Sequence, residues 1–156
     1  MLRPILLIAL LVLILDQASK WVILLKVMDP PRVIEVTGFF NLVLAWNRGV
    51  SFGLFTNDSP YGPYLLAGIA LVIATGVLLW SRNQRQFLPV LAAGMIVGGA
   101  IGNLIDRLVH GAVVDFLDFH VGGFHWPAFN VADCGIVVGV GFLLYDSLFR
   151  SGRSTK

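Results

Sequence analysis

The stretch of residues 4–25 reads PILLIALLVLILDQASKWVILL. From Pro4 to Leu15 it is apolar without interruption, and only then do Asp16 and Lys20 break the run. An α-helix needs about 20 mostly apolar residues to cross a bilayer. Three further stretches qualify: about Tyr64 to Trp80, Leu88 to Val109 and Val131 to Phe149. The composition agrees. Of 156 residues, 57% are hydrophobic and 13% charged, against about 25% charged in a soluble domain, and the mean hydropathy is +0.84. Too few polar side chains remain to cover a water-facing surface. The expected fold is an all-α membrane protein of four transmembrane helices, forming one integral-membrane domain over residues 1–156. Arg3 followed by Ile5–Leu15 resembles the start of a secretory signal, but Asp16-Gln17-Ala18-Ser19-Lys20 is a poor small-x-small cleavage site.

The positive charges orient the spans. Arg3 precedes the first, Arg82 and Arg85 lie between the second and third, and Arg150, Arg153 and Lys156 follow the fourth. The positive-inside rule makes that side cytoplasmic, with both termini inside. The opposite side carries the longer connections, about Lys26 to Pro63 and His110 to Asn130. Within the first, Val33-Ile34-Glu35-Val36 and Phe39 to Trp46 are rich in β-branched and aromatic residues, between Pro30-Pro31, Gly38 and Asn47-Arg48-Gly49. Such runs read as short strands joined by turns. A small β-sheet subdomain is expected over about residues 29–62, against the outer membrane face.

Ionisable groups inside spans are costly unless partnered. Asp16 and Lys20, at i and i+4, share a helix face and read as a structural pair that neutralises itself. In the third span Gly94, Gly98 and Gly102 form a small-xxx-small stripe suited to close helix contact. Gly99, Asn103 and Arg107 make a second stripe. There an amide and a guanidinium one turn apart present several donors, although Arg107 could also snorkel to headgroups or pair with Asp106. His110-Gly111 looks like a helix end, with Gly111 free to take the left-handed conformation. Asn130 suits the N-cap of span four, with Asp133 three residues on completing a capping box. Asp115, just beyond span three, lies at the same depth as Asp133. Two carboxyls from separate helix ends that share one proton can activate water against an amide.

These residues resemble lipoprotein signal peptidase, the bacterial signal peptidase II family of membrane aspartic proteases. The likeness rests on Asp16-Gln17-Ala18-Ser19-Lys20, on Asn47-Arg48-Gly49-Val50-Ser51-Phe52, and on Gly98 through Arg107. Val113-Val114-Asp115-Phe116 and Phe129-Asn130-Val131-Ala132-Asp133 complete it. Five blocks in order, on the expected topology, make a specific match. The resemblance implies catalytic aspartates at Asp115 and Asp133, and substrate-site residues at Asn47, Gly99, Asn103, Arg107 and Asn130. It places the span-one acid and base at Asp16 and Lys20. Ser51 stands where the family usually has Ala. Asp118 competes with Asp115 on spacing alone, and the preceding Val113-Val114 favours Asp115. The implied substrate is a prolipoprotein whose lipobox cysteine carries diacylglycerol, cut just before that cysteine in the bacterial inner membrane. The implied active site lies near the outer face.

No cofactor is expected. His110, His120 and His125 lack the H-E-x-x-H spacing of a zinc helix, a net charge of +2 suggests no nucleic-acid partner, and the protein is expected to act as a monomer among membrane lipids. Three rivals are weaker. A small transporter would place its ionisable groups near the bilayer midplane and show internal repeats, and neither pattern is present. A cysteine protease would need Cys134 activated by His120 or His125, yet a thiol beside Asp133 inside a span reads as a small hydrophobe. A purely structural membrane protein leaves the outer acids unexplained.

Overall fold

The computed structural model describes residues 2–49 and 61–149. Val50, Ser51 and Phe52 of the second motif block, and the basic tail Arg150, Arg153 and Lys156, lie outside the described residues. The four apolar stretches are the four long helices. Helix α1 runs Leu2–Val22 and continues as a π-helical turn over Ile23–Val27. Helices α2, α3 and α4 run Gly62–Ser81, Phe87–His110 and Val131–Phe149. All four are long and apolar enough to cross a membrane.

Helix α3 is the centre of the bundle and packs against each of the other three. Of its apolar stretch 67% is buried within the protein, against 17–22% for the others, whose outer faces are left to lipid. Small residues allow this. A Cβ at Gly94 would lie 2.6 Å from Ile8 Cβ, and one at Gly98 would lie 2.5 Å from the Ala9 carbonyl oxygen, so that stripe is the seat of α1. A Cβ at Gly99 would strike the Ala132 carbonyl oxygen of α4. The two glycine stripes thus bring α1 and α4 onto α3 at backbone distance, where apolar lipid supplies no drive of its own. At the end of α3 Gly111 is left-handed, φ 69°, and its N–H still donates to the Arg107 carbonyl at 3.1 Å.

The sheet draws on both outer connections. Strands β1 (Ile34–Thr37) and β2 (Phe40–Asn47) come from the first, as expected. Strands β3 (Val113–Val121) and β4 (Phe124–His125) come from the second, where the sequence pattern predicts none. The order is β1-β2-β3-β4, antiparallel throughout. Gly122 and Gly123, φ 58° and 84°, form the two-residue β3–β4 turn, a geometry in which both positions favour glycine. Ile23, Met28 and Phe116 make a small core beneath the sheet, with Leu42, Leu44 and Val131 packed on it. This core ties the sheet to the same ends of α1 and α4 that carry the polar residues.

Candidate active site

Asp115 lies on β3, and three local features fix its surroundings. The β2–β3 register pairs Leu42 with Leu117 but Ala45 with Asp115, so one extra residue of β2 bulges between them. A bulge of this kind re-aims the residues beyond it. Asn47, two residues past Ala45 and therefore on the same strand face, donates its Nδ2 to Asp115 Oδ2 at 3.0 Å. The amide is held in that sense because its Oδ1 accepts the Gly49 N–H at 3.1 Å. On the other side of β3, Phe129 joins Leu117 as an isolated antiparallel bridge, with N–H to O distances of 2.9 and 3.1 Å. That bridge sets Asn130 beside Asp115, and Asn130 Nδ2 donates to Asp115 Oδ1 at 2.7 Å.

Asp133 occupies the first turn of α4. It forms the capping box read from the sequence: the Asp133 N–H donates to Asn130 Oδ1 at 3.0 Å, and the Asn130 N–H donates to Asp133 Oδ2 at 3.3 Å. The other oxygen accepts Asn103 Nδ2 at 2.8 Å. Asn130 Nδ2 also lies 3.2 Å from Asn103 Oδ1. Asp115, Asn130, Asn103 and Asp133 are thus one hydrogen-bonded network. Asp115 is 2% exposed. Burial, reinforced by the charge of Asp133, pushes its carboxyl up to about 7, against the opposing hydrogen bonds from Asn47 and Asn130 and the more distant Lys20. A carboxyl group that keeps a proton near neutral pH beside a second carboxyl is suited to acid–base work.

Arg107 does not pair with Asp106. Its Nη1 donates to the Asn103 carbonyl at 3.3 Å and its Nη2 to the Gly49 carbonyl at 3.4 Å, while its buried Nε has no hydrogen-bond partner among the described residues. A cavity of about 290 Å³ opens between α2, α3 and α4, with Asn103, Arg107 and Asp133 at its polar end and Leu66, Ile69, Ile73 and Ile136 among its apolar walls. Gly99 lies one turn before Asn103, where its missing side chain admits α4 and with it Asp133.

Asp16 and Lys20 meet at 2.8 Å, and the pair is not closed on itself. Lys20 also reaches Asp106 at 2.8 Å and Asn103 Oδ1 at 3.0 Å, and Asp16 Oδ1 accepts the Ala132 N–H of α4 at 2.8 Å. Asp106, which the sequence offers only as a partner for Arg107, and Gln17, which it gives no role, are members of this network. Both are polar residues left over in spans one and three, and that surplus was the available signal. Gln17 Nε2 donates to Asp106 Oδ1 at 2.9 Å.

Asp118 is engaged elsewhere. An odd offset of three along β3 turns it to the opposite strand face from Asp115. It accepts Asn41 Nδ2 at 3.0 Å and contacts His125 Nδ1 at 2.9 Å. Burial raises its pKa, but these two hydrogen bonds together with the nearby His125 and His120 outweigh burial and hold it below the ordinary carboxylate range. His120 stacks on His125 at 4.8 Å, and His110 stands edge-on to Trp21 and Trp46. Among the described residues no hydrogen bond joins the Cys134 thiol to a histidine, and no three His, Cys, Asp or Glu side chains gather as a metal ion would require.

The sequence profile of Signal peptidase (SPase) II matches residues 8–149. The lipoprotein signal peptidase of Methylobacterium sp. (strain 4-46) is 45% identical over 142 residues, 90% of this chain and 86% of that protein. The lipoprotein signal peptidase of Azoarcus sp. (strain BH72) is 46% identical over 151 residues, 96% of this chain and 85% of that protein. Among solved structures, a bacterial membrane enzyme obtained by the in meso method at 2.3 Å is similar with a TM-score of 0.79 and 29% identity, covering 97% of this chain and 94% of that one. A profile spanning nearly the whole chain and relatives of this identity leave one conclusion: the chain is a multi-pass membrane peptidase and belongs to the signal peptidase II family.

Proposed function

We propose that this protein is an aspartic endopeptidase of the bacterial inner membrane that removes the signal peptide from diacylglyceryl-modified prolipoproteins, cutting just before the lipid-modified cysteine. The observation that carries this reading is the bridged pair: Asp115 and Asp133 are joined through Asn130 and Asn103 at the polar end of an apolar-walled cavity. Asp115 and Asp133 act as a dyad with one shared proton. The ionised carboxyl takes a proton from water, whose oxygen attacks the scissile carbonyl, and the proton held by the other carboxyl passes to the developing alkoxide. As the C–N bond breaks, the first carboxyl gives the proton it took to the leaving amine, and the second takes one back from a hydroxyl of the intermediate as the new carboxyl group forms, which restores the one-proton dyad. Asn47 and Asn130 hold Asp115, Asn103 holds Asp133, and Gly99 keeps α4 close.

Arg107 presents a buried Nε and two Nη groups on weak carbonyl contacts, a donor set free to exchange those contacts for carbonyls of an extended substrate. The apolar walls suit the hydrophobic signal peptide and the lipid. The enzyme acts as a monomer, and both termini are cytoplasmic, a reading supported by Arg3 at the start of α1 and by Arg82 and Arg85 between α2 and α3, away from the dyad. The test is incubation of the purified protein with a diacylglyceryl-modified prolipoprotein and with the unmodified form. Cleavage of the modified form alone is expected, and equal cleavage of both would refute the lipid requirement.

A further inference from the structure

We infer that Lys20 is a positioning residue for both carboxyls of the dyad: its buried ammonium fixes which way the Asn103 amide faces and, through Asp106, anchors the start of β3. The inference rests on the dyad reading above. Lys20 is 2% exposed, and an ammonium has three N–H donors and no acceptor. All three have acceptors: Asp16 Oδ2 at 2.8 Å, Asp106 Oδ2 at 2.8 Å and Asn103 Oδ1 at 3.0 Å. Neutralising Asp16 alone would need only the first.

The third contact sets Asn103. Its Oδ1 receives Lys20 and, at 3.2 Å, Asn130 Nδ2, which uses both lone pairs. The Nδ2 is left to face Asp133 Oδ1 at 2.8 Å. A reversed amide would set its NH₂ against two donors and its oxygen against a carboxylate, so only one orientation is available. The second contact reaches the other acid. Asp106 Oδ2, held by Lys20, also accepts the N–H of Val114 at 3.0 Å, and Val114 immediately precedes Asp115. One ammonium therefore controls Asp133 through an amide and Asp115 through the backbone. Gln17 Nε2, on Asp106 Oδ1 at 2.9 Å, completes the hold on that carboxylate.

The test compares kcat and KM of purified variants on diacylglyceryl-modified prolipoprotein. Lys20→Met combined with Asp106→Asn removes one charge of each sign and leaves the cluster's net charge unchanged, which protects the fold. Misplacement of a catalytic group by about 1 Å costs about 10²-fold. The double variant is therefore expected to lose about 10²-fold in kcat, with KM within about twofold of the parent and a parental thermal melt. Lys20→Arg keeps the charge against both carboxylates but has a planar fork that cannot aim at three diverging acceptors. Its kcat should fall about tenfold with the melt intact, and it decides the matter alone where the double variant does not fold. A parental kcat in either folded variant would overturn the positioning role and leave Lys20 a plain charge partner. Asp115→Asn and Asp133→Asn run alongside: activity in those would sink the dyad itself, whereas inactive dyad variants beside fully active Lys20 variants would sink only this inference.

Discussion

Replacing Asp115 by Asn should flatten the dependence of stability on pH. The carboxyl is 2% exposed, and its pKa is raised from 3.8 to about 7 in the folded protein. In the unfolded chain it ionises near its ordinary value, so between pH 5 and 7 the native state keeps a proton that the unfolded state has released. A raised carboxyl of this kind lends stability at low pH and loses it as pH rises through about 7. Over two pH units, at 1.36 kcal/mol per unit, the parent should lose about 2.7 kcal/mol from this source. The amide cannot release a proton, so the variant should not. It pays separately, because Asn47 and Asn130 both donate to Asp115 and an amide oxygen can accept in only one of those two directions. That loss of about 1–3 kcal/mol applies at every pH and displaces the curve without tilting it. The assay is unfolding of parent and variant in detergent at pH 5, 6, 7 and 8. The stability gap should move in the variant's favour by about 2–3 kcal/mol across the series. Parallel pH profiles would mean that Asp115 is ionised throughout and holds no proton near neutral pH.

Arg107→Lys should be nearly as slow as Arg107→Ala in initial cleavage rate, because the guanidinium spans the Asn103 and Gly49 carbonyls with separate Nη groups and a lysine offers no fork; full activity in Arg107→Ala would reduce the residue to packing. Cys134→Ser should cleave at close to the parental rate, since the reaction gives the thiol no part, and loss of activity with an intact melt would restore the cysteine-protease reading.

The four spans were legible because a membrane helix must satisfy its own backbone and therefore needs a long apolar run. The Asn130–Asp133 capping box was legible for the same reason of locality: both hydrogen bonds close within four residues. Strand β3 was not. Its first four residues are all buried, Asp115 included, so the alternation that marks a half-exposed strand is absent there. Nor was the bulge in β2 that brings Asn47 to Asp115, since it appears only once β2 is paired with β3. Asn47 was reached through the family's motif and not through its own chemistry. Asp106 illustrates the limit best. Beside Arg107 in sequence, it looked like that residue's partner, but adjacent helix positions do not face each other. Its actual partner is 86 positions away in α1, brought near by the glycine stripe that seats α1 on α3.

Whether Asp115 and Asp133 together break the peptide bond is read from the initial cleavage rate of Asp115→Asn and Asp133→Asn on a diacylglyceryl-modified prolipoprotein. Asp118→Asn serves as control, since Asp118 is committed to Asn41 and His125. One acid or base of this kind supplies about 10²–10⁴-fold. Each dyad variant should therefore lose at least that much while remaining folded in detergent, and Asp118→Asn should keep the parental rate. Near-parental cleavage by either dyad variant would show that the two aspartates are not the catalytic pair.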